Sequence, residues 1–357
     1  MTRRQLIGSV AGLSTGLAAT RRTAVAAPGH AWMPRISENL SDVEPATLKW
    51  LKQMGSKHVI FQGAESVDRG SKGYWTAADV KPIKQRCDEA GIILESLMIP
   101  RHFFTRAMTG EDGRDQDIEN VIRSIQAVAA NGIPMCEWRF KPYPFMDERA
   151  GYYNIEGRGG ARLKAFDYSR VKDHLPLEEF RPCSMEEMWQ RFLYFGKPVV
   201  AAAGKANVRL SMHPCDPPVP YMRGVAQIFH HPDGFRRMIR EIPSPNNGVT
   251  FCQGTFTEMG IDVLKEIRYF GKLGRIHLVH FRAVRGAIPK YEEVFMDEGD
   301  VDMLQAMRAF KESGYSGPMV SDHTPKIEGD SPWGHRGRSY SHGYMRALVH
   351  AVNSLTK

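Results

Sequence analysis

The sequence predicts an α/β fold, a (β/α)₈ TIM barrel, on three observations. Short apolar runs alternate with longer helix-like stretches, each kind can be counted eight times, and chemically active side chains follow several of the runs. Such alternation is typical of a parallel sheet, and the count of eight favours a sheet closed into a barrel. A doubly wound open sheet is the alternative, but the first strand–helix junction has no Gly-x-Gly-x-x-Gly motif.

The boundaries of the elements follow from apolar runs and from glycines that end helices. The predicted strands are 31–36, 58–63, 92–99, 133–140, 207–213, 248–253, 275–282 and 317–322. The predicted helices are 43–54, 77–90, 115–131, 185–204, 233–241, 258–272, 300–314 and 339–354. Gly55, Gly91 and Gly132 each follow a helical stretch, as a C-cap glycine does. We expect a long functional loop at 141–183, after the third strand, that could act as a lid.

Composition limits the class of protein. The chain has 357 residues, of which 42% are hydrophobic and 25% charged, so it can bury a full core and is neither disordered nor a disulfide scaffold. No run of eighteen apolar residues occurs, which predicts no membrane span. The net charge is +8, but four of the positive charges lie in the first 27 residues, which contain no acid. The remainder is only mildly basic, which argues against a nucleic-acid partner.

The N-terminus resembles a twin-arginine export signal. Arg3 and Arg4 precede a weakly apolar run at 6–19, and the small residues at 24–26 offer a cleavage site. We therefore expect a removed signal peptide at 1–26, a single barrel domain at 27–357 and a periplasmic location.

The cysteines do not form a disulfide framework in this interpretation. They are five in number, widely spaced and without a Cys-x-x-Cys pair: Cys87, Cys136, Cys183, Cys215 and Cys252. Twin-arginine passengers fold before export, so a metal-bound cysteine is compatible with this route.

Four candidate metal ligands stand at the ends of four consecutive predicted strands. They are His213, Cys252, His280 and Asp322. The active site of a (β/α)₈ barrel lies at the carboxyl ends of its strands, and these residue types bind divalent transition metals. Because side chains alternate along a strand, His280 shares a face with Arg282 while His277 points to the other face.

Two further residues have a functional and a structural interpretation. Glu95 lies in mid-strand among apolar residues, where a carboxylate is either paired or directed at substrate, and we place it on the substrate side. Tyr340 stands at the start of the predicted final helix, and its phenol could transfer a proton or simply pack.

Several segments together resemble the signature segments of the mannonate dehydratase family. They cover most of the chain from about residue 31 to 355 and include 94–96, 113–120, 213–218, 251–255, 279–282, 298–303, 321–325 and 340–346. The resemblance implies a xylose-isomerase-like barrel that dehydrates D-mannonate to 2-dehydro-3-deoxy-D-gluconate with Mn²⁺ or Fe²⁺. It implies His213, Cys252, His280 and Asp322 as metal ligands, with Asp322 and Tyr340 as catalytic residues.

The chain departs from the family at two places. Cys215 stands where the family motif has an aspartate, and 133–140 lacks the usual Tyr-Asn pair. Two alternatives therefore stay open: a metal-dependent sugar isomerase or epimerase on the same barrel, and a non-catalytic sugar-acid binding protein. A homo-oligomer is compatible with the sequence, which does not fix the oligomeric state.

The chemistry of an aldonic-acid dehydration assigns provisional roles. Arg282 would clamp the substrate carboxylate, and Asp322 or Tyr340 would handle one proton transfer. His323 or His335 would bind substrate and handle the other transfer. No cofactor beyond the metal is indicated, and the only partner expected is a small sugar acid.

Overall fold

The computed structural model describes residues 31–63, 72–141, 143, 145–176 and 180–355. Its strands are, in chain order, β1 (Arg35–Leu40), β2 (His58–Phe61), β3 (Ile93–Met98), β4 (Met135–Trp138), β5 (Tyr152–Glu156), β6 (Arg162–Asp167), β7 (Arg209–Met212), β8 (Tyr221–Met222), β9 (Val225–Ala226), β10 (Asn247–Cys252), β11 (Ile276–His280), β12 (Ala283–Ala287), β13 (Lys290–Val294) and β14 (Pro318–Val320). Its α-helices are Pro45–Gln53, Ala77–Glu89, Thr105–Thr109, Arg114–Ala130, Met185–Lys205, Pro232–Glu241, Gln253–Glu258, Val263–Lys272, Met303–Glu312 and His335–Leu355.

Eight of these strands close into a parallel barrel, which confirms the predicted fold. The order around the barrel is β1, β2, β3, β4, β7, β10, β11 and β14, and β14 pairs with β1 to complete the circle. The first strand begins at Arg35 rather than at residue 31, because Pro34 has no N–H for the ladder. The first ladder hydrogen bond runs from the Arg35 N–H to the Gly317 carbonyl at 3.0 Å.

The helix predicted at 258–272 begins later, at Val263, and a separate short helix precedes it, so this prediction is wrong in detail. The first ends at Glu258, and Gly260 then adopts a φ of +71°, which a helix interior does not permit. Asp262 caps the second helix by accepting a hydrogen bond from the Lys265 N–H. The break brings Glu258 to the end of a short helix that follows β10 directly.

The outer helices pack by ordinary apolar faces, and one of them fixes the orientation of β4. Ser184 caps the helix Met185–Lys205, whose buried face includes Phe192 and Phe195. Both phenyl rings contact the Trp138 indole, with centroids 5.9 and 5.8 Å apart. Since Trp138 points outward to this helix, its neighbours Glu137 and Arg139 point into the barrel. In the part of the chain that the structure describes, no helix has the length and apolar character to cross a membrane.

The long loop at 141–183 follows the fourth barrel strand, not the third, since Arg35–Leu40 already counts as the first. It is also not a bare loop, because β5 and β6 form a hairpin within it. This hairpin pairs with β13, and β13 pairs with β12, giving a four-stranded antiparallel sheet. We call these four strands the inserted sheet.

The barrel interior has an apolar centre with polar residues above and below it. Ile60, Met135, Leu278 and Val320 form a small buried cluster separate from the core beneath the helices. Because alternate residues of a strand share a face, the residues two positions further along β4, β11 and β14 also point inward. Those residues are Glu137, His280 and Asp322.

Glu95 lies at the amino-terminal mouth of the barrel, so its assignment to the substrate side is wrong. Its carboxylate accepts from Arg35 Nε at 2.6 Å and contacts His58 Nδ1 at 2.8 Å, and both partners begin their strands. The register between β2 and β3 shifts at Val59 and Ile60, which leaves Glu95 as an extra residue facing these partners. Burial alone would raise the pKa of Glu95, but the hydrogen bonds from His58 and Arg35 outweigh it and lower the pKa.

We predict that Glu95→Gln destabilises the protein by about 1–2 kcal/mol at neutral pH, because it removes a charge-assisted pair. The pKa of Glu95 is lower in the folded state than in the unfolded state. The extra stability of the wild type is therefore fully present above the unfolded-state pKa of about 4.3, and it is lost as pH falls through the folded-state pKa. Urea denaturation at pH 7 and at acid pH measures this difference, with the exposed Glu111→Gln as control. Steady-state kinetics should be unchanged, and a large loss of turnover would place Glu95 back in the site.

Candidate metal centre and active site

The predicted ligands meet at the carboxyl end of the barrel. His213 follows β7 directly, and Cys252 and His280 are the last residues of β10 and β11, where they are register partners. The candidate ligand atoms of His213, Cys252 and His280 all lie within 4.8 Å of one another, and all three residues are buried. Three separate strands thus bring side chains at their ends to one point, because parallel strands end at the same face.

Asp322 completes this group. One carboxylate oxygen, Oδ1, lies 3.4 Å from His280 Nδ1, and the other, Oδ2, lies 3.8 Å from Cys252 Sγ. Asp322 has a φ of +56°, a left-handed conformation that costs free energy outside glycine. The backbone is therefore held in an uncommon conformation at the residue that closes the cluster.

The donor set fits a divalent metal ion. His213 Nδ1 lies 2.7 Å from the Pro214 carbonyl oxygen, so Nδ1 carries the proton and Nε2 keeps its lone pair. Burial holds the pKa of His213 well below its usual range, which keeps the ring neutral. Neither ring nitrogen of the fully buried His280 has a hydrogen-bond partner among the described residues. A buried imidazole whose ring nitrogens make no hydrogen bond to the described residues, beside a thiol, a second imidazole and a carboxylate, is the arrangement that a transition metal satisfies.

The charges around His280 and Asp322 stabilise each other. Burial would lower the pKa of His280, but Asp322 and Glu137 outweigh it and raise the pKa to about 10, so a metal ion that binds His280 would have to displace its proton. Burial would raise the pKa of Asp322, but His323, His280 and Arg282 hold it well below its usual range. Asp322 is therefore a carboxylate at neutral pH, which is the form that binds a metal or accepts a proton.

Arg282 does not offer its guanidinium to a substrate, so its predicted role as a carboxylate clamp is wrong. The side chain is 1% exposed, and all three of its nitrogens are engaged. Its Nε donates to Asp322 Oδ2 at 2.9 Å, Nη1 donates to Glu258 at 2.8 Å, and Nη2 donates to Asp216 Oδ2 at 2.7 Å. Arg282 therefore positions Asp322 rather than binding substrate directly.

Sequence reasoning missed the acidic residues of this site: Glu137, Asp216, Glu258 and Glu293. Only strand alternation gave a signal for Glu137, whose Oε1 lies 3.8 Å from His280 Nε2. Burial, followed by the charge of Asp216, raises the pKa of Glu258 well above its usual range, against the opposing effect of Arg282. Glu293 comes from the inserted sheet, which no local pattern places near the barrel.

The inserted sheet contacts this network through two tyrosines. The Tyr152 hydroxyl donates to Asp216 Oδ1, and the Tyr291 hydroxyl lies 3.3 Å from the same oxygen. Asp216, Glu293 and His323 also lie close enough together to resemble a second metal group. Arg282 already supplies the cation there, with Nη1 3.7 Å from Glu293, so one metal position is the simpler interpretation.

Apart from Arg282, His323 is the predicted substrate-binding residue that the structure places beside the cluster. Its Nδ1 lies 3.0 Å from Glu293 Oε1, and its Nε2 lies 3.8 Å from Asp322 Oδ1. His277, by contrast, faces away and contacts the Leu210 carbonyl at 2.9 Å, as strand alternation predicts. Cys215 is buried next to the Phe140 carbonyl, and burial raises its pKa to about 12, so it is a neutral thiol outside the ligand group.

The structure does not bring Tyr340 or His335 to the cluster. The Tyr340 hydroxyl donates to Asp297 Oδ1 at 2.9 Å, and the side chain is exposed. His335 contacts Ser331 Oγ at 2.5 Å and packs edge-on against Trp50. Both residues lie on the final helix, which begins at His335 and packs outside the barrel, so among the described contacts none joins them to a metal ligand.

A cavity of about 430 Å³ opens beside His213, and we call it the His213 cavity. Arg139, Lys141 and Gln62 line it together with Asp216. Arg139 Nε and Gln62 Nε2 are buried atoms with no hydrogen-bond partner in the described structure. Side chains with unsatisfied hydrogen-bond donors therefore line this cavity together with His213, a candidate metal ligand.

Comparison with known proteins agrees with this geometry. Residues 40–357 match the model of the family described as D-mannonate dehydratase (UxuA). A mannonate dehydratase of Oceanobacillus iheyensis is 28% identical over 350 residues, covering 88% of this chain and 96% of that protein. One from Thermotoga maritima is 28% identical over 321 residues, covering 79% and 88%.

Solved structures show the same fold. A mannonate dehydratase from Streptococcus suis serotype 2 superposes with a TM-score of 0.79 at 24% identity, covering 91% of this chain and 95% of that chain. A D-tagatose 3-epimerase-like protein superposes with a TM-score of 0.61 at 15% identity, covering 90% and 100%. Because the family model matches most of the chain and the candidate metal-binding side chains converge at the barrel mouth, the chain belongs to the D-mannonate dehydratase (UxuA) family of hydro-lyases.

Proposed function

We propose that this protein is a metal-dependent hydro-lyase that converts D-mannonate, or a closely related aldonic acid, to 2-dehydro-3-deoxy-D-gluconate and water. The observation that carries the proposal is the convergence of His213, Cys252, His280 and Asp322 at the barrel mouth of a chain from this family. The relatives named as mannonate dehydratases support the substrate. We propose Mn²⁺ or Fe²⁺ as the metal, because imidazole ligands suit iron and carboxylate ligands suit manganese.

Dehydration of an aldonic acid removes the proton next to the carboxylate and expels the neighbouring hydroxyl. A divalent ion held by these four residues would act as a Lewis acid and stabilise the negative charge that develops on the carboxylate. The protein's own task is to place a base at the carbon-bound proton and an acid at the leaving hydroxyl.

Asp322 and His323 are the residues best placed for the two proton transfers. Asp322 is ionised at neutral pH, and Arg282 fixes its orientation through Oδ2. The Glu293 carboxylate holds His323 Nδ1, which directs Nε2 towards Asp322. We propose that Asp322 accepts the proton and that His323 supplies one to the leaving hydroxyl. Tyr340 has no part in this proposal.

Arg139 replaces Arg282 as the proposed ligand of the substrate carboxylate. Its side chain points into the His213 cavity from the carboxyl end of β4, and its Nε has no partner among the described residues. Its nearest ion pair, to Glu137, is 3.4 Å long and leaves the remaining donors for a carboxylate. Lys141 lies in the same cavity, and burial lowers its pKa to about 8, so it is largely a second cation at neutral pH.

We also propose export through the twin-arginine route to the periplasm. The signal at 1–26 lies outside the described residues, and its support is the sequence pattern alone. Arg3→Lys with Arg4→Lys should leave the full-length precursor in the cytoplasm, which cell fractionation measures. Processed protein in the periplasm despite both changes would contradict this route.

We predict turnover of D-mannonate by protein that is purified without chelator and supplied anaerobically with Mn²⁺ or Fe²⁺. Asp322→Asn should abolish turnover, by a factor of about 10³ or more, because it removes a negative ligand and the base. Mass spectrometry of the product gives the reaction class, since dehydration removes one water. A product of unchanged mass would contradict the proposal and favour an isomerase, and near-native activity of Asp322→Asn would remove Asp322 from the mechanism.

We predict that Arg139→Met lowers kcat/KM for D-mannonate by a factor of about 10–100, because one charge-assisted contact to the substrate carboxylate is lost. Metal content should be unchanged, since Arg139 is not a ligand. The exposed Arg123→Met is the matched control. Equal kcat/KM in Arg139→Met and the control would exclude Arg139 as the carboxylate ligand.

We predict that Tyr340→Phe retains nearly all activity. A residue that transfers a proton in the transition state contributes a factor of about 10²–10⁴, and the Tyr340 hydroxyl instead binds Asp297. Steady-state kinetics on D-mannonate decides this, and a hundredfold loss would show that Tyr340 acts in turnover.

A further inference from the structure

A second cavity lies between the inserted sheet and the loop that follows β14. Its volume is about 280 Å³, and the lining residues of the two cavities are different. Four cationic side chains line it, and we call it the cationic cavity: Arg162, Lys164, Lys326 and Arg338.

Backbone hydrogen bonds fix the two walls of the cationic cavity against each other. The Arg162 N–H donates to the Lys326 carbonyl at 2.9 Å, and the Lys326 N–H donates to the Arg162 carbonyl at 3.0 Å. Lys164 lies two residues further along β6, so its side chain shares the face of Arg162. The backbone hydrogen bonds between the inserted sheet and the loop after β14 therefore bring the cations together, and their proximity does not depend on the conformations of long side chains.

The positive charge of this cavity is only partly neutralised. Arg338 is paired with Glu38 at 2.5 Å. Among the described ion pairs, none involves Arg162, Lys164 or Lys326, and the Lys326 ammonium donates to the Pro332 carbonyl at 2.5 Å. Three cations thus share the cavity without anions of their own.

The nearby acids are engaged elsewhere. Glu293, which also lines the cavity, contacts His323 at 3.0 Å and Arg282 at 3.7 Å. Asp330, beside Lys326, accepts hydrogen bonds from the backbone N–H groups of Arg336 and Gly337 in the final helix. Neither acid is therefore available solely to balance the three cations.

Electrostatic repulsion among these cations affects the pKa of Lys326. Burial lowers its pKa, and the charges of Arg338, Arg162 and Lys164 lower it further, against the opposing effect of Asp330. Like charges held together by a rigid backbone are stabilised when an anion enters between them.

Neutral side chains that carry hydrogen-bond donors line the same cavity. The indole N–H of Trp333 is buried and has no acceptor among the described residues. Asn154 and Thr324 add a side-chain amide and a hydroxyl. Cations combined with neutral donors are the usual means by which proteins bind phosphate and carboxylate groups.

We propose that the cationic cavity binds a phosphate or carboxylate group, with Lys164, Lys326 and Arg162 as its charged ligands. His323 lines this cavity and lies 3.8 Å from Asp322, so the bound anion sits one side chain away from the reacting centre. The anionic group has two possible sources: the far end of a doubly anionic sugar acid, or a free anion that adjusts His323.

The binding test uses inorganic phosphate and the metal-loaded enzyme, and does not depend on activity. We expect isothermal titration calorimetry to show a phosphate site that is weakened at least about tenfold in the double variant Lys164→Gln/Lys326→Gln. The exposed pair Lys205→Gln/Lys272→Gln loses the same net charge and should bind as the wild type does. Phosphate that binds at the metal should bind equally in the wild type, the double variant and the control. Only phosphate bound in the cationic cavity should be lost in the double variant.

The kinetic test separates the two sources and rests on the proposed function. If the group belongs to substrate, the double variant should lose about tenfold in kcat/KM for a hexonate with a terminal phosphate or second carboxylate, but not for D-mannonate. If the anion is free, phosphate should change kcat or KM for D-mannonate in the wild type but not in the double variant. Identical phosphate titrations and identical kinetics in the wild type, the double variant and the control would overturn the proposal. A phosphate site in an enzyme that does not turn over D-mannonate would contradict only the proposed function.

Discussion

The buried guanidinium of Arg282 is the interaction on which the site depends. A buried cation is costly unless it is paired, and Arg282 meets this requirement with Asp216, Glu258 and Asp322 on three separate segments. Since removal of one partner from such a buried pair costs about 3–5 kcal/mol, the network holds these segments in one arrangement. Asp322 in its left-handed conformation is thereby fixed at the metal position.

The inserted sheet extends this network beyond the barrel. Tyr152 and Tyr291 reach Asp216, and Glu293 reaches His323, so the sheet and the metal centre share hydrogen-bonded carboxylates. Its opposite contact, between Arg162 and Lys326, forms the cationic cavity. The same sheet therefore positions a proposed catalytic histidine and delivers the cations of a proposed anion site.

Strand periodicity was sufficient to predict the barrel and the grouping of the candidate metal ligands. Each ligand directly ends or follows an apolar strand, and parallel strands bring such ends together whatever the connections between them. The same reasoning could not place Glu95, because a local shift of register put it at the opposite mouth. It also could not show that Arg282 was occupied, since its carboxylate partners lie on segments that follow β7, β10 and β14 and on the inserted sheet.

The sequence by itself therefore determined the (β/α)₈ barrel, the group of His213, Cys252, His280 and Asp322, and the resemblance to a family of dehydratases. These features depend on local alternation of side chains and on the ends of single strands. The tertiary structure decided which charged groups meet: Glu95 with Arg35, Arg282 with Asp216, and Arg162 with Lys326. Pairings between distant segments are set by packing and register, which leave no periodic pattern in the chain.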